Sequence, residues 1–507
     1  MVTSKTAVVV GSGVAGLAVA IRLAVQGFAV DVYEKNAVPG GKLGSMTIKD
    51  YHFDTGPSLF TEPENIQELF ALAGEQMGAY FTYHKVDEAC RYFYPDGTVI
   101  RAFTTPELFA AELNATTGEA KDATLHYLSA SAKLYSKVGE IFLNFSLHKW
   151  ATWLNVRVIK AFTTIKPSYL FKTLNGYNGK QFKTPHAVQL FNRYATYNGS
   201  SPYRAPGMLS VIPHLEHNEG TCYPHGGMIN IVNALYKLAE KKGITFHFGA
   251  AVSSIIHTDG SARGIVVNNK NIFSDIVVSN LDAYYTYKNL LGNPWKASSI
   301  LKQERSSSAL IFYWGINKTF SNLQLHNIFF SENYKEEFEH LFKLKKLYQD
   351  PTVYINITSR HDASHAPEGC ENWFVMINVP ADQTQDWGAL KMQARQSIVK
   401  KINEVLQTDI TQYIEVEEIL DPTGIDANTG CFMGSLYGTS SNSILSAFWR
   451  HPNFSQDIKS LYFCGGSVHP GGGIPLCLRS AKIVAGLVAD SSTSSRPKHS
   501  RQKAVIQ

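Results

Sequence analysis

Two glycine-rich turns, one near each end of the chain, carry the residue types that hold a diphosphate and a flat ring. The first follows TAVVV and reads GSGVAG, with Gly11, Gly13 and Gly16 at G-x-G-x-x-G spacing and Ser12 and Ala15 between them. Gly11 permits a tight turn, Gly13 puts no side chain in the way of a pyrophosphate, and Gly16 lets the next helix pack close to the strand. Free amides at that helix start face an anion. Glu34 and Lys35 end a second strand-like run, AVDVY. A carboxylate there grips ribose hydroxyls and argues against a 2′-phosphate. The second turn reads CGGSVHPGGGIP and contains Gly466, Gly473, Ile474 and Pro475. Such a loop brings bare backbone against a ring, and a helix predicted over Leu476 to Leu487 turns its positive end toward a reduced, anionic ring system. His469 lies in this turn, either to pass a proton or to hydrogen-bond the loop.

The elements that must position these residues are legible around them. Val8, Val9 and Val10 form a β-branched run expected of a buried parallel strand. A helix follows over Ala15 to Gln26 with Gly27 as its stop, then a strand over Ala29 to Tyr33. This is a strand–turn–helix–strand unit of Rossmann type, an α/β dinucleotide-binding fold. Farther on come Gly40, Gly41 and Lys42, then HFDTGPSLF with Asp54, Gly56 and Pro57 on a strand end and turn. An amphipathic helix is predicted over Ile229 to Lys241, followed by alternating strands, with Val252 where such folds touch the adenine end through backbone. SSALIFYWGINK, VYINITS and WFVMINV read as strands of an antiparallel wall.

The GG-basic pattern after Glu34 resembles flavoproteins of the amine-oxidase and phytoene-desaturase type, which decides for FAD over NAD. The resemblance extends through RYATYNGSSPYRAP…HLEHNEGTCYPHGGM and CFMGSLYG…ILSAFWRHPNF…IKSLYFCGGSVHPGGGIPLCLRSAKIVAG, and covers nearly the whole chain. It is that of bacterial carotenoid desaturases. What it implies is an FAD-binding domain in three pieces (1–106, 220–282 and 426–490) with an inserted α+β substrate domain (107–219 and 283–425). The first part of that insert is helical and contacts the membrane, and 491–507 is a disordered tail. Because a second G-x-G-x-x-G is not found, the flavin is expected to be reoxidised by an external acceptor, oxygen or quinone.

The implied reaction is flavin-dependent introduction of a double bond into a long acyclic carotenoid. Hydride loss beside the polyene leaves a delocalised cation, and the neighbouring carbon then loses a proton. Ring faces stabilise such a cation, and Tyr194, Tyr197 and Trp449 are the candidates, each with core packing as the competing role. Lys42 in place of the usual arginine, GPSLFTEP, and GGSVHPGGGIP depart from the phytoene-desaturase pattern. These departures resemble the desaturases that make a 3,4 double bond in 1-hydroxylated carotenoids. A terminal hydroxyl needs polar partners, expected at the tunnel end. Phytoene desaturation is the alternative, followed by an amine or protoporphyrinogen oxidase on the same scaffold, a saturase-type reductase, and a non-catalytic carotenoid binder.

Composition narrows the classes further. The 507 residues carry a formal charge of +5 and six scattered cysteines without a C-x-x-C. No metal site and no disulfide framework are expected, and the chain reads as cytoplasmic. No apolar run is long enough to span a bilayer. Between Glu140 and Glu216 there is no acidic residue. That stretch interleaves Lys149, Arg157, Lys160, Lys166, Lys172, Lys180, Lys183, Arg193 and Arg204 with Phe142, Phe145, Trp150, Trp153, Leu154, Val158, Phe162, Tyr169, Leu170 and Phe171. Basic and aromatic residues in helical patterning suit an anionic membrane surface; an ordinary helical core is the competing explanation. No nucleic-acid module is recognised.

Overall fold

A computed structural model describes residues 4–156, 158–160 and 165–494. Arg157 and Phe162 of the acid-free stretch, and 495–507 of the expected tail, lie outside the described residues.

One sheet is wholly parallel, in the order Leu461–Phe463, Ile276–Ser279, Thr6–Val10, Ala29–Tyr33, Thr245–His247. Its central strand is the valine run, with Val8, Val9 and Val10 at most 3% exposed. A strand covered on both faces has no use for alternation, which explains the unbroken apolar run. Helix Val14–Val25 leaves this sheet and packs against helices Ile229–Lys241 and Ile474–Ser494. The second of these three buries Ile231, Val232, Leu235, Leu238 and Ala239 along one stripe, the amphipathic face expected from its sequence.

A second, seven-stranded sheet runs Ile414–Leu420, Ser308–Ile316, Glu371–Val379, Val353–Asn356, His326–Phe329, Glu88–Phe93, Val99–Phe103. Its pairings are antiparallel except that of His326–Phe329 with Glu88–Phe93. The side-chain period of two divides its residues between two faces. Leu310, Phe312, Trp314, Trp373, Val375 and Ile377 pack with Ile398 and Ile402 of helix Trp387–Leu406. Ile311, Tyr354, Phe374 and Met376 point the other way and line a cavity. A helical layer built on Pro106–Thr117, Lys121–Leu134 and Pro185–Asn192 forms its own aromatic core.

Three expectations need correction. The 88–103 hairpin, assigned by sequence to the first cofactor piece (1–106), belongs to the seven-stranded sheet, because Arg91, Tyr92 and Phe93 pair with Asn327, Ile328 and Phe329. The last helix runs through Ser494, so 491–494 are helical and not tail. The helical patterning of the acid-free stretch resolves into short pieces, Glu140–Asn144, Trp150–Trp153 and Pro167–Phe171. Phe142, Val158 and Tyr169 turn inward there, and so does Arg193, counted by sequence with the basic surface residues but buried against Glu216; Phe145, Trp150, Leu154 and Phe171 stay exposed.

A buried ion pair ties the sheets together. Asp282, just past strand Ile276–Ser279, meets Arg305, just before strand Ser308–Ile316, and the guanidinium also donates to the Ser435 hydroxyl. No helix among the described residues is long and apolar enough to cross a membrane.

Candidate cofactor and substrate site

The first turn has the geometry its glycines require. Gly11 sits at φ +96°, in the left-handed region. A Cβ on Gly16 would stand 2.1 Å from the Gly11 carbonyl oxygen, so helix and strand touch backbone to backbone. No side chain caps the helix that begins at Val14. Its first-turn amides therefore face the cavity with their share of the helix dipole. Glu34 is 5% exposed. One of its oxygens accepts from the Ser12 amide at 2.8 Å and hydroxyl at 2.9 Å, and the other from the Asn36 amide at 2.9 Å. The carboxylate is thereby fixed at the tip of the second strand. A Cβ on Gly56 would fall 1.8 Å from the Lys42 carbonyl oxygen, which closes the GGK and GPS turns on each other. Lys42 reaches across to the Leu436 carbonyl, and Lys35 donates to the Ala427 carbonyl at 2.6 Å.

Both turns open into one cavity of about 670 Å³. Gly11, Gly13, Ala15, Glu34, Lys35, Gly41, Lys42, Gly56, Pro57 and Val252 line it, and so do Gly466, Gly473, Ile474 and Pro475. Ser12 and Gly16 do not; the first orients Glu34 and the second seats the helix. Gly473 has φ +115° and nothing within 4 Å of where a Cβ would be, which leaves bare backbone on open space.

The cavity continues from the turns between the seven-stranded sheet and the helical layer. There Leu134, Phe142, Leu209, Ile212, Ile328, Phe374 and Met376 make its walls apolar. Of the aromatic candidates, Tyr197 lines it. Tyr194 does not: its ring is fully buried in the helical core and its hydroxyl donates to Glu216 at 2.6 Å. Trp449 also lies off the cavity, 45% exposed and stacked on Trp153. The orientation of these two rings was not readable from their types. His469 lines the cavity, but its Nε2 bonds the Phe145 carbonyl at 2.9 Å. Burial holds its pKa down to about 4, so the ring is neutral at neutral pH and serves as a strut.

Sequence reading missed two features. Arg450 is buried on the cavity wall and donates to the Tyr437 carbonyl at 2.9 Å and toward the Ser441 hydroxyl at 3.3 Å. Burial presses its pKa down to about 10, yet it remains a cation at neutral pH. The motif ILSAFWRHPNF contains it, but an arginine between an aromatic and a histidine gives no signal of burial. The second is a buried Arg193–Glu216 pair at 3.0–3.1 Å, also on the wall. A bound dinucleotide fits this arrangement: two bare backbone turns, an uncapped helix start, a fixed carboxylate at the ribose position and a buried cation.

A model of flavin-containing amine oxidoreductases matches residues 14–489. The chain belongs to that family. A 1-hydroxycarotenoid 3,4-desaturase from Flavobacterium sp. (strain P99-3) is 48% identical over 488 residues, 96% of this chain and all of that one. A 4,4′-diapolycopene oxygenase from Methylomonas sp is 32% identical over 498 residues, covering 96% and 99%. Among solved structures, an oxidoreductase from Methanosarcina mazei aligns with a TM-score of 0.61 at 15% identity, over 96% of this chain and all of that one. The α/β fold is thus that of the flavin-containing amine oxidoreductases. The protein is an FAD-dependent oxidoreductase.

Two expectations follow. Gly16→Ala forces helix and strand apart, so flavin absorbance per protein after purification should fall at least about tenfold, with a stability loss of about 1–3 kcal/mol. Gly179→Ala, where a Cβ would meet nothing, should keep its flavin. The second concerns pH. Burial holds His451 and His469 at about 4, below the ordinary histidine value near 6.5. The unfolded chain therefore takes up protons first as pH falls. Each ring contributes stability that is complete above about pH 6.5 and declines by about 1.4 kcal/mol per pH unit toward pH 4. Urea unfolding at pH 7.5 and 5.5 measures that slope, and His469→Gln should reduce it.

Proposed function

We propose that the protein introduces a carbon–carbon double bond into a long acyclic carotenoid, at the 3,4 position of a 1-hydroxylated end. The observation that carries this reading is the single cavity that joins the two glycine turns to an apolar, aromatic-walled chamber. A hydrocarbon has no charge to grip, so its affinity must come from apolar area removed from water, roughly 25 cal/mol per Å². The named activity of the relative from Flavobacterium, 48% identical from end to end, supports the same substrate class. When bound, FAD supplies a two-electron acceptor. The chain's own residues supply the rest. The sheet face with Phe374, Met376 and Ile328 and the helical face with Leu209 and Ile212 hold the chain of the substrate and keep water out. Tyr197 presents a ring on the chamber wall. The Arg450 guanidinium adds a fixed positive charge on the wall, suited to an anionic reduced ring. Oxygen or a quinone is the external acceptor in this reading.

We also propose that the substrate domain consists of the seven-stranded sheet and the helical layer, and that the helical part rests on a membrane surface on the cytoplasmic side. Phe145, Trp150, Leu154, Val156, Ile159 and Phe171 are exposed along the acid-free stretch, with Trp150 and Phe171 at 78%. Leu445 and Trp449 are exposed on an adjoining segment, held there by Trp153 stacking on Trp449 and Phe142 packing on Phe448. Those same segments supply Phe142, Leu143, Ala447 and Phe448 to the cavity wall. A lipid-soluble substrate thus has a short apolar route from bilayer to chamber.

Expression in cells making defined acyclic carotenoids tests the reaction. A red-shifted product is expected only where the pigment bears a tertiary alcohol; conversion of colourless phytoene would move the assignment to phytoene desaturation. For the membrane, flotation with vesicles containing anionic lipid should carry the wild type. Replacing Trp150, Leu154 and Phe171 by serine should weaken that binding at least about tenfold; a wild type that stays at the bottom of the gradient sinks the idea.

A further inference from the structure

The cavity face of the seven-stranded sheet is mostly apolar; Asn378 is one polar exception and a histidine–tyrosine pair is another. His326 and Tyr354, on neighbouring strands, stand on the same face as Ile328, Phe374 and Met376. The Tyr354 hydroxyl lies 2.7 Å from His326 Nδ1 and 2.7 Å from the Ser58 hydroxyl. Asn356 also donates to His326 Nδ1, at 3.2 Å, while its other amide hydrogen serves the Leu325 carbonyl. Nδ1 is therefore the acceptor nitrogen, and the ring proton sits on Nε2. That Nε2 is buried and has no hydrogen-bond partner among the described residues. The ring is 2% exposed, and burial, with smaller contributions from His361 and Arg193, keeps it neutral. A buried N–H without a partner, on a residue of a largely apolar chamber wall, is costly unless a ligand satisfies it.

Covalent geometry says where a hydroxyl would have to meet it. In a 1-hydroxylated end, the oxygen is only three bonds from C3, one of the two carbons that lose hydrogen. Its partner must therefore lie beside the cofactor turns and not at the far end of the chamber, where the sequence led us to expect it. Ser58 directly follows Gly56 and Pro57 of the GPS turn. From it the polar chain runs Ser58, Tyr354, His326, each link 2.7 Å long. We propose that this chain is the recognition site for the terminal hydroxyl of the substrate, with the His326 Nε2–H donating to its oxygen. The inference rests on the 1-hydroxycarotenoid reading above and assigns that reading its specificity-determining residue. His326 takes no part in the redox step; it selects the oxygenated end and sets the register of the polyene beside the flavin.

The test uses the full-length, FAD-loaded enzyme in detergent–lipid micelles with two acyclic carotenoids that differ only in the tertiary hydroxyl. The ratio of their kcat/KM values is the readout. The wild type should prefer the hydroxylated one by roughly 10- to 100-fold, because the analogue leaves a buried donor unpaired. His326→Leu should collapse that ratio to within about threefold, and His326→Gln, whose side-chain amide offers a donor again, should restore part of it. Tyr354→Phe, which removes the hydroxyl facing Nδ1 and keeps the ring, should narrow the ratio; it serves equally if the leucine variant does not fold. A ratio unchanged in His326→Leu or in Tyr354→Phe overturns the inference and leaves the 1-hydroxycarotenoid reading standing. A wild type that turns over neither compound, or both equally, overturns that reading and this inference together.

Discussion

The site depends on backbone touching backbone. At Gly16 the first helix rests on the carbonyl of Gly11, and at Gly56 one turn rests on the carbonyl of Lys42. A single Cβ at either place would overlap an oxygen. Those two contacts set the height of the uncapped helix start above the sheet, and with it the point where amides and dipole meet an anion. The Glu34 carboxylate, held by three donors from Ser12 and Asn36, then fixes the second strand tip against the first turn. Everything farther along the cavity is positioned relative to that corner.

Much of this corner was legible in the sequence, because glycine spacing, a β-branched run and an acid at a strand end each have a short-range physical cause. The helix over Ile229–Lys241 is read to its boundaries for the same reason: its apolar stripe is local. What failed was long-range. Tyr194 and Trp449 share their type with Tyr197, but only the fold decides that one ring turns to the chamber, one to the helical core and one to solvent. The 88–103 hairpin carried a readable signal, Asp96–Gly97 between two strand-like runs; its partner strand lies more than two hundred residues away, and no local pattern announces it. Ser58, His326 and Tyr354 come from three separate segments, so only the assembled sheet makes them a group.

The chamber also shows how an apolar site tolerates charge. Arg193 and Glu216 are buried as a bonded pair, and the guanidinium lies over the rings of Tyr92, Tyr194 and Tyr197 at 4.6–5.3 Å. Desolvation of two ions is expensive, and removing one would leave the other stranded. The pair therefore fixes the geometry of this wall more than it adds to stability. Arg450 has no such carboxylate among the ion pairs of the described residues, and burial, with the nearby Arg305 cation, lowers its pKa.

The strand Leu461–Phe463 pairs with Ile276–Ser279 at the edge of the parallel sheet. During synthesis this edge emerges from the ribosome nearly two hundred residues before its neighbour does. Until then it presents unsatisfied amides and carbonyls, a template for mispairing. The parallel sheet is thus sealed only after the whole seven-stranded sheet has been synthesised, so the two sheets close in the reverse of the order in which they begin.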